Sequence, residues 1–92
     1  MPHRKKQQEE ERTKLIQDLC DGIVNDLKEL REKRNVTTSE MAKRTGILQP
    51  NITRMETFRL TPNLKTVVAC ATVLGGRLIL VTDEEFEKQK EE

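Results

Sequence analysis

The chain has 92 residues, 34% of them hydrophobic and 36% charged, enough for one small core with polar extensions and too few for a second core. With two Phe and neither Tyr nor Trp, that core must be assembled from Leu, Ile, Val and Met, which suits short packed helices better than a β-sandwich. The net charge of +1 hides an uneven layout, with eight basic residues against three acidic ones from Arg31 to Lys65 and two basic against six acidic from Thr82 onward; a basic middle fits a polyanion, and the acidic end serves another purpose.

Residues 1–9 are polar and read as a flexible, frayed start. Residues 10–76 then read as one helical domain. Within 10–34, Leu15, Ile16, Leu19, Cys20, Ile23, Val24, Leu27 and Leu30 recur every three or four residues, the stripe of an amphipathic helix. Gly22 costs about 1 kcal/mol in a helix interior, so the stretch is either one long helix or two with a break there. Asn35 tolerates the left-handed conformation and stops the helix.

Residues 37–56 read as two short helices about a turn. Thr37 and Glu40 form a capping box that opens the first, and Gly46 closes it by turning the chain at positive φ. Pro50 fits the first turn of the next helix and leaves Gln49 as its cap. Ile52 and Met55 then face inward, and Asn51, Thr53 and Arg54 face outward. Thr61, Pro62 and Asn63 mark a loop, after which Leu64, Val67, Val68, Ala71 and Leu74 place a fourth helix over 63–74, stopped by Gly75 and Gly76.

Residues 77–82, RLILVT, read as a short β-strand. With no second candidate strand to pair with, Leu78, Ile79, Leu80 and Val81 either form an antiparallel ladder with the same strand of a second subunit or lie on the chain's own helices. Residues 83–92 form an acidic, solubilising tail.

No apolar run approaches the ~20 residues that cross a bilayer. The start MPHRKKQQEEER has no apolar middle like that of a secretory signal, so a cytoplasmic protein with no membrane partner is expected. Cys20 and Cys70 fall on apolar positions and read as small core residues in a reducing compartment. His3 is the single histidine and Ser39 the single serine. No spacing matches a metal site, a phosphate loop or a nucleophile elbow, so neither catalysis nor a cofactor is expected.

The two short helices carry a specific spacing. Ala42 is small where a second helix crosses closely, Gly46 lies four residues on at the turn, Ile47 one beyond it, and Ile52 ten after Ala42. These positions set the angle between the helices and leave the front of the second free to enter a major groove. At this point the stretch LKELREKRNVTTSEMAKRTGILQPNITRMETFRLTPNLKTVV resembles the Cro/repressor-type (XRE) helix-turn-helix family, over about Ile23 to Leu74. The resemblance shows in Leu27, Leu30 and Arg31, in Ala42, Gly46 and Ile52, in Arg54-Met55-Glu56, and in Pro62-Asn63-Leu64 with Thr66-Val67.

That resemblance implies a lambda-repressor-like bundle of about five helices whose third reads near-palindromic double-stranded DNA as a homodimer; with the patterning above, the expected fold is all-α, with a long N-terminal helix and one short C-terminal strand. Gln49, Pro50, Asn51, Thr53 and Arg54 would be its base-reading face, and Thr37, Thr38, Thr57 and Arg59 its phosphate contacts. Two positions depart from the family. Leu48 stands where a serine or threonine normally caps the third helix, and Phe58 stands where a glycine is common.

The C-terminal LGGRLILVTDEE resembles antitoxins of the HigA and HipB kind, which implies repression of the chain's own operon and neutralisation of a ribonuclease toxin of the RelE/HigB type. Leu15, Ile16 and Leu19 on the N-terminal arm, or the acidic tail, are the candidate toxin contacts. Two alternatives stand beside this: a stand-alone XRE-type regulator without a toxin, and a protein-interaction module that keeps the fold but no longer binds DNA.

Overall fold

The computed structural model describes residues 2–91, with side chains described over 6–89. Among these residues five helices follow one another: α1 (Pro2–Lys33), α2 (Thr38–Thr45), α3 (Gln49–Glu56), α4 (Leu64–Val73) and α5 (Asp83–Glu91). The frayed start expected over 1–9 is corrected for 2–9, which are helical and continuous with α1; Met1 lies outside the described residues. Pro2 suits that first helical position, where its missing N–H has no partner to lose. The helix passes through Gly22 unbroken, and a Cβ there would meet nothing within 4 Å, so that residue contributes only its intrinsic cost.

Three of the helices end in the same device. After α1, the N–H of Val36 reaches back to the Arg31 carbonyl at 3.1 Å and that of Asn35 to Glu32 at 3.0 Å. After α3, Arg59 and Phe58 do the same to Arg54 and Met55; after α4, Gly76 and Gly75 do so to Ala71 and Thr72. The turning residue has positive φ each time: 56° at Asn35, 62° at Phe58 and 80° at Gly75. These are Schellman motifs, which satisfy the last carbonyls of a helix and redirect the chain within two residues.

The core lies where α1, α2, α3 and α4 meet. Val24 and Leu27 of α1, Val36 of the following turn, Met41 of α2, Ile52 and Met55 of α3, and Val67, Cys70, Ala71 and Leu74 from the α4 region are buried together, with Leu30, Ala42, Ile47 and Val73 packed against them. Cys70 is fully enclosed, whereas Cys20, expected in the core as well, is only half-buried at its edge. The N-terminal part of α1 leaves this core behind, and residues 6–19 are exposed throughout. At about 1.5 Å per residue its 32 residues span roughly 48 Å, which accounts for the molecule's long dimension of 51 Å.

One correction concerns the C-terminus. No strand forms over 77–82, and none occurs among the described residues. A single strand has no ladder to join within one chain, and the segment runs irregularly past α1 and α4, with Leu78 against the groove lined by Ile23, Leu27 and Leu30. The acidic tail is helical, forming α5, and its side chains over 83–89 are exposed. Thr82 opens it by accepting the Glu85 N–H at 3.1 Å, and Asp83, Glu84 and Glu85 lie in its first turn, where the helix dipole favours negative charge. Among the described residues, no helix is long and apolar enough to cross a membrane.

Candidate nucleic-acid interface

The placement of α3 begins with the cap of α2. Thr37 adopts an extended conformation and accepts the Glu40 N–H at 3.1 Å. The reciprocal half of the expected capping box is replaced, because the Glu40 carboxylate turns to Arg44 at 3.4 Å. Gly46 ends α2 at φ 77° and donates to the Ala42 carbonyl at 2.9 Å. Thr45 reinforces the turn, its hydroxyl donating to Met41 and accepting from the Ile47 N–H. Only three residues then separate the helices, so α3 leaves at a fixed angle.

The inner face of α3 is fully engaged. Ile52 and Met55 fill the core, and Glu56, buried beside them, takes two bonds from Arg31 of α1. Burial of both partners makes this a fixed strut rather than a solvated surface pair. The Arg31 guanidinium is held above its ordinary pKa chiefly by the hydrogen bond to Glu56, with burial opposing it and the charge of Glu56 adding to it. This pairing escaped the sequence reading. Its one local trace is that Arg31 extends the Val24–Leu27 face and Glu56 the Ile52–Met55 face, so two opposite charges occupy positions patterned for apolar residues.

The outer face presents Gln49, Pro50, Thr53 and Arg54 to solvent, with Asn51 half-buried at its edge. Arg54 Nη1 donates to Asn51 Oδ1 at 2.9 Å, which holds one edge of the guanidinium and leaves its other donors facing outward. Gln49 does not cap α3. The cap position is Leu48, which offers no side-chain bond, while Gln49 Nε2 donates to Thr38 Oγ1 at 3.0 Å and links the start of α3 to the start of α2. Gln49 is already the first residue of α3, so it follows the cap position rather than occupying it, and its side-chain amide donates to the Thr38 hydroxyl.

The threonines differ in what they can offer an anion. Thr37 and Thr38 each accept one hydrogen bond and keep the hydroxyl proton for another acceptor, and both lie at the N-terminus of α2, where the dipole favours a phosphate. The Thr57 hydroxyl already donates to the Thr53 carbonyl at 2.8 Å, so a phosphate contact there requires it to rotate. Arg59, just past the α3 turn, is exposed.

The Helix-turn-helix domain family matches residues 24–78, more than half of the chain. The match takes in α1 from Val24 through α4 and leaves out the N-terminal arm and α5. The chain is also 36% identical over 61 residues to a protein of Archaeoglobus fulgidus named as an uncharacterized HTH-type transcriptional regulator, an alignment covering 64% of this chain and 86% of that protein. No solved structure matches the chain significantly. On the family match, the turn at Gly46 and the packing of α3 against α2, the chain belongs to the helix-turn-helix domain family.

Proposed function

We propose that the chain is a sequence-specific, double-stranded DNA-binding transcriptional regulator that reads its operator with the outer face of α3. The observation that carries this is the division of α3: an inner face locked by Ile52, Met55 and Glu56, and an outer face of exposed polar side chains already oriented by the Gln49–Thr38 and Arg54–Asn51 bonds. In this reading Gln49 and Asn51 contact adenine edges and Arg54 a guanine edge, with Pro50 and Thr53 packing against the bases. Thr37, Thr38, Thr57 and Arg59 hold phosphates that set the register. The Archaeoglobus fulgidus relative, named as an HTH-type transcriptional regulator, agrees with this role.

Selection from a pool of randomised duplexes tests it. Enrichment of one sequence is expected, with affinity falling steeply as salt rises because phosphate neutralisation releases counterions. Arg54→Ala should lose roughly 10- to 100-fold of preference for that sequence, corresponding to about 1–3 kcal/mol, while keeping non-specific affinity. No enrichment, or equal preference in the variant, overturns the reading.

A narrower reading, an antitoxin that also captures a ribonuclease toxin, draws support from Ile79 and Leu80, which are 70% and 103% exposed in the segment that resembles such proteins. Co-expression with the adjacent gene product tests it. Co-purification lost on Ile79→Asp and Leu80→Asp is the expected result, and a product that does not co-purify removes it.

A further inference from the structure

The N-terminal arm carries an apolar surface that its own fold leaves largely open, only Ile23 being met at one edge by Leu78. Leu15, Ile16, Leu19 and Ile23 are 58%, 54%, 61% and 43% exposed, although each step of three or four residues keeps them on one side of α1. At 3.6 residues per turn, Arg12 and Asp26 fall on the same stripe, all six residues lying within an arc of roughly 100°. A chain this polar leaves such a stripe open to solvent only at a cost, and a contiguous exposed apolar patch marks a site of association.

The order along the stripe is symmetric about Leu19. Ile23 lies four residues after it and Leu15 four before; Asp26 lies seven after it and Arg12 seven before. Two copies laid antiparallel with a two-fold axis at Leu19 therefore set Leu19 against Leu19, Leu15 against Ile23, and Arg12 against Asp26 twice over. A parallel pair would set Arg12 against Arg12 and Asp26 against Asp26. Neither residue makes an ion pair among the described residues, so both are free to pair across such an interface. A closed two-fold contact of this kind is self-complementary by construction.

We infer that the N-terminal arm of α1 is a homodimerisation element, pairing antiparallel with the same arm of a second copy about Leu19. An anionic lipid surface is a poor competitor, because residues 6–26 carry six acidic side chains against three basic ones. Apart from Asp26, the residues of this stripe lie outside those matched by the helix-turn-helix family, so most of this contact is an addition to that domain. It stands apart from the DNA-reading role proposed for α3, so the failure of either reading leaves the other in place.

Mass measurement on the full chain, without DNA, tests the pairing. A dimer is expected at micromolar concentration. Leu19→Asp should yield a monomer that keeps wild-type helicity, and Arg12→Asp should weaken dimerisation at least tenfold. Adding Asp26→Arg to Arg12→Asp should restore dimerisation, since the charge pairs are then reformed in reverse; Asp26→Arg alone should be as weak as Arg12→Asp. In a Cys20→Ser background, mild oxidation should cross-link Leu19→Cys to itself. It should cross-link Arg12→Cys only when mixed with Asp26→Cys. A monomeric wild type overturns the proposal, as does a dimer indifferent to Leu19→Asp or self-cross-linking of Arg12→Cys alone. A chain that is monomeric alone and gains mass only with a co-expressed neighbouring product assigns the stripe to a foreign partner and overturns it equally.

Discussion

Arg31 and Glu56, 25 residues apart in the chain, meet in two near-parallel hydrogen bonds, Nε to Oε2 at 2.7 Å and Nη2 to Oε1 at 2.8 Å. Arg31 Nη1 takes the Val36 carbonyl at 2.8 Å as well. One guanidinium thus ties the end of α1, the turn into α2 and the last residue of α3 together, and the orientation of the outer face of α3 follows from it. Both side chains are largely withdrawn from water, at 13% and 9% exposure.

Removing one partner should therefore cost far more than losing a surface ion pair. Glu56→Ala is expected to destabilise the fold by about 3 kcal/mol, because Arg31 is left charged and part-buried with one acceptor. For a domain of this size that lowers Tm by more than 10 °C, at roughly 4–8 °C per kcal/mol. Arg31→Met with Glu56→Leu should recover most of the loss, since the pair's desolvation cost disappears with it. Thermal denaturation of the two variants checks both statements; equal losses in single and double variants would mean that packing, not the charge pair, holds α3. The raised pKa of Arg31 keeps its contribution intact below its ordinary value and surrenders it only as pH climbs through the raised one, so neutral buffers do not weaken it.

The buried thiol of Cys70 gives a second test. Burial, and secondarily the charge of Glu56, push its pKa above the ordinary thiol value, so at neutral pH it is protonated and enclosed, doubly protected from alkylation. Half-buried Cys20 should be the thiol that reacts in the native chain, with the second equivalent of iodoacetamide consumed only after denaturation. Because the folded state holds the Cys70 proton more tightly, the associated stability is complete below the ordinary thiol value and erodes as pH rises toward the raised one. Unfolding midpoints from about pH 7 to about pH 10 should fall more steeply for wild type than for Cys70→Ala, and parallel slopes would count against the assignment.

Much of the fold was legible because its decisive features are local. Thr37 caps through a hydrogen bond three residues away, Asn63 does the same to Thr66, and Asn35 and Gly46 turn the chain at their own φ angles. Residues whose role depends on distant partners were not legible. Arg31 and Glu56 lie on α1 and α3 with the whole of α2 between them in the chain, and Gln49 finds Thr38 only once α2 and α3 have packed. The strand expected from RLILVT had the right composition but no partner in one chain, and the acidic tail was read by charge alone, which overlooked Thr82 as a cap. At the base-reading face, sequence indicated which side chains face outward, but not that Arg54 is steadied by Asn51 or that Thr57 has committed its proton.

Leu48 presents a missing interaction that a substitution can supply. It occupies the cap position of α3 in an extended conformation, φ −63° and ψ 135°, with no side-chain hydrogen bond, and it is 71% exposed. Leu48→Ser should place a hydroxyl within reach of the N–H groups of the first turn and stabilise the chain by about 1 kcal/mol. Little burial is lost in exchange. A higher Tm with unchanged operator preference is the expected result, and a lower Tm would show that the packing of Leu48 within the fold outweighs the missing cap.

Phe58 is the clearest local strain, and relieving it separates conformation from contact. As the turning residue after α3 it holds φ 62°, a region in which a Cβ crowds the neighbouring carbonyl at a cost of roughly 1–2 kcal/mol. The ring regains little of this, being 53% exposed. Phe58→Gly should therefore stabilise the fold by about 1 kcal/mol, net of the extra backbone entropy that glycine must lose. Phe58→Ala, which keeps the Cβ but loses the ring, should not stabilise. If both substitutions destabilise equally, the ring rather than the backbone governs this turn. If glycine alone raises Tm but weakens DNA binding, the strained turn is positioning Arg59 for a phosphate, a role to be read from the accompanying loss of salt dependence.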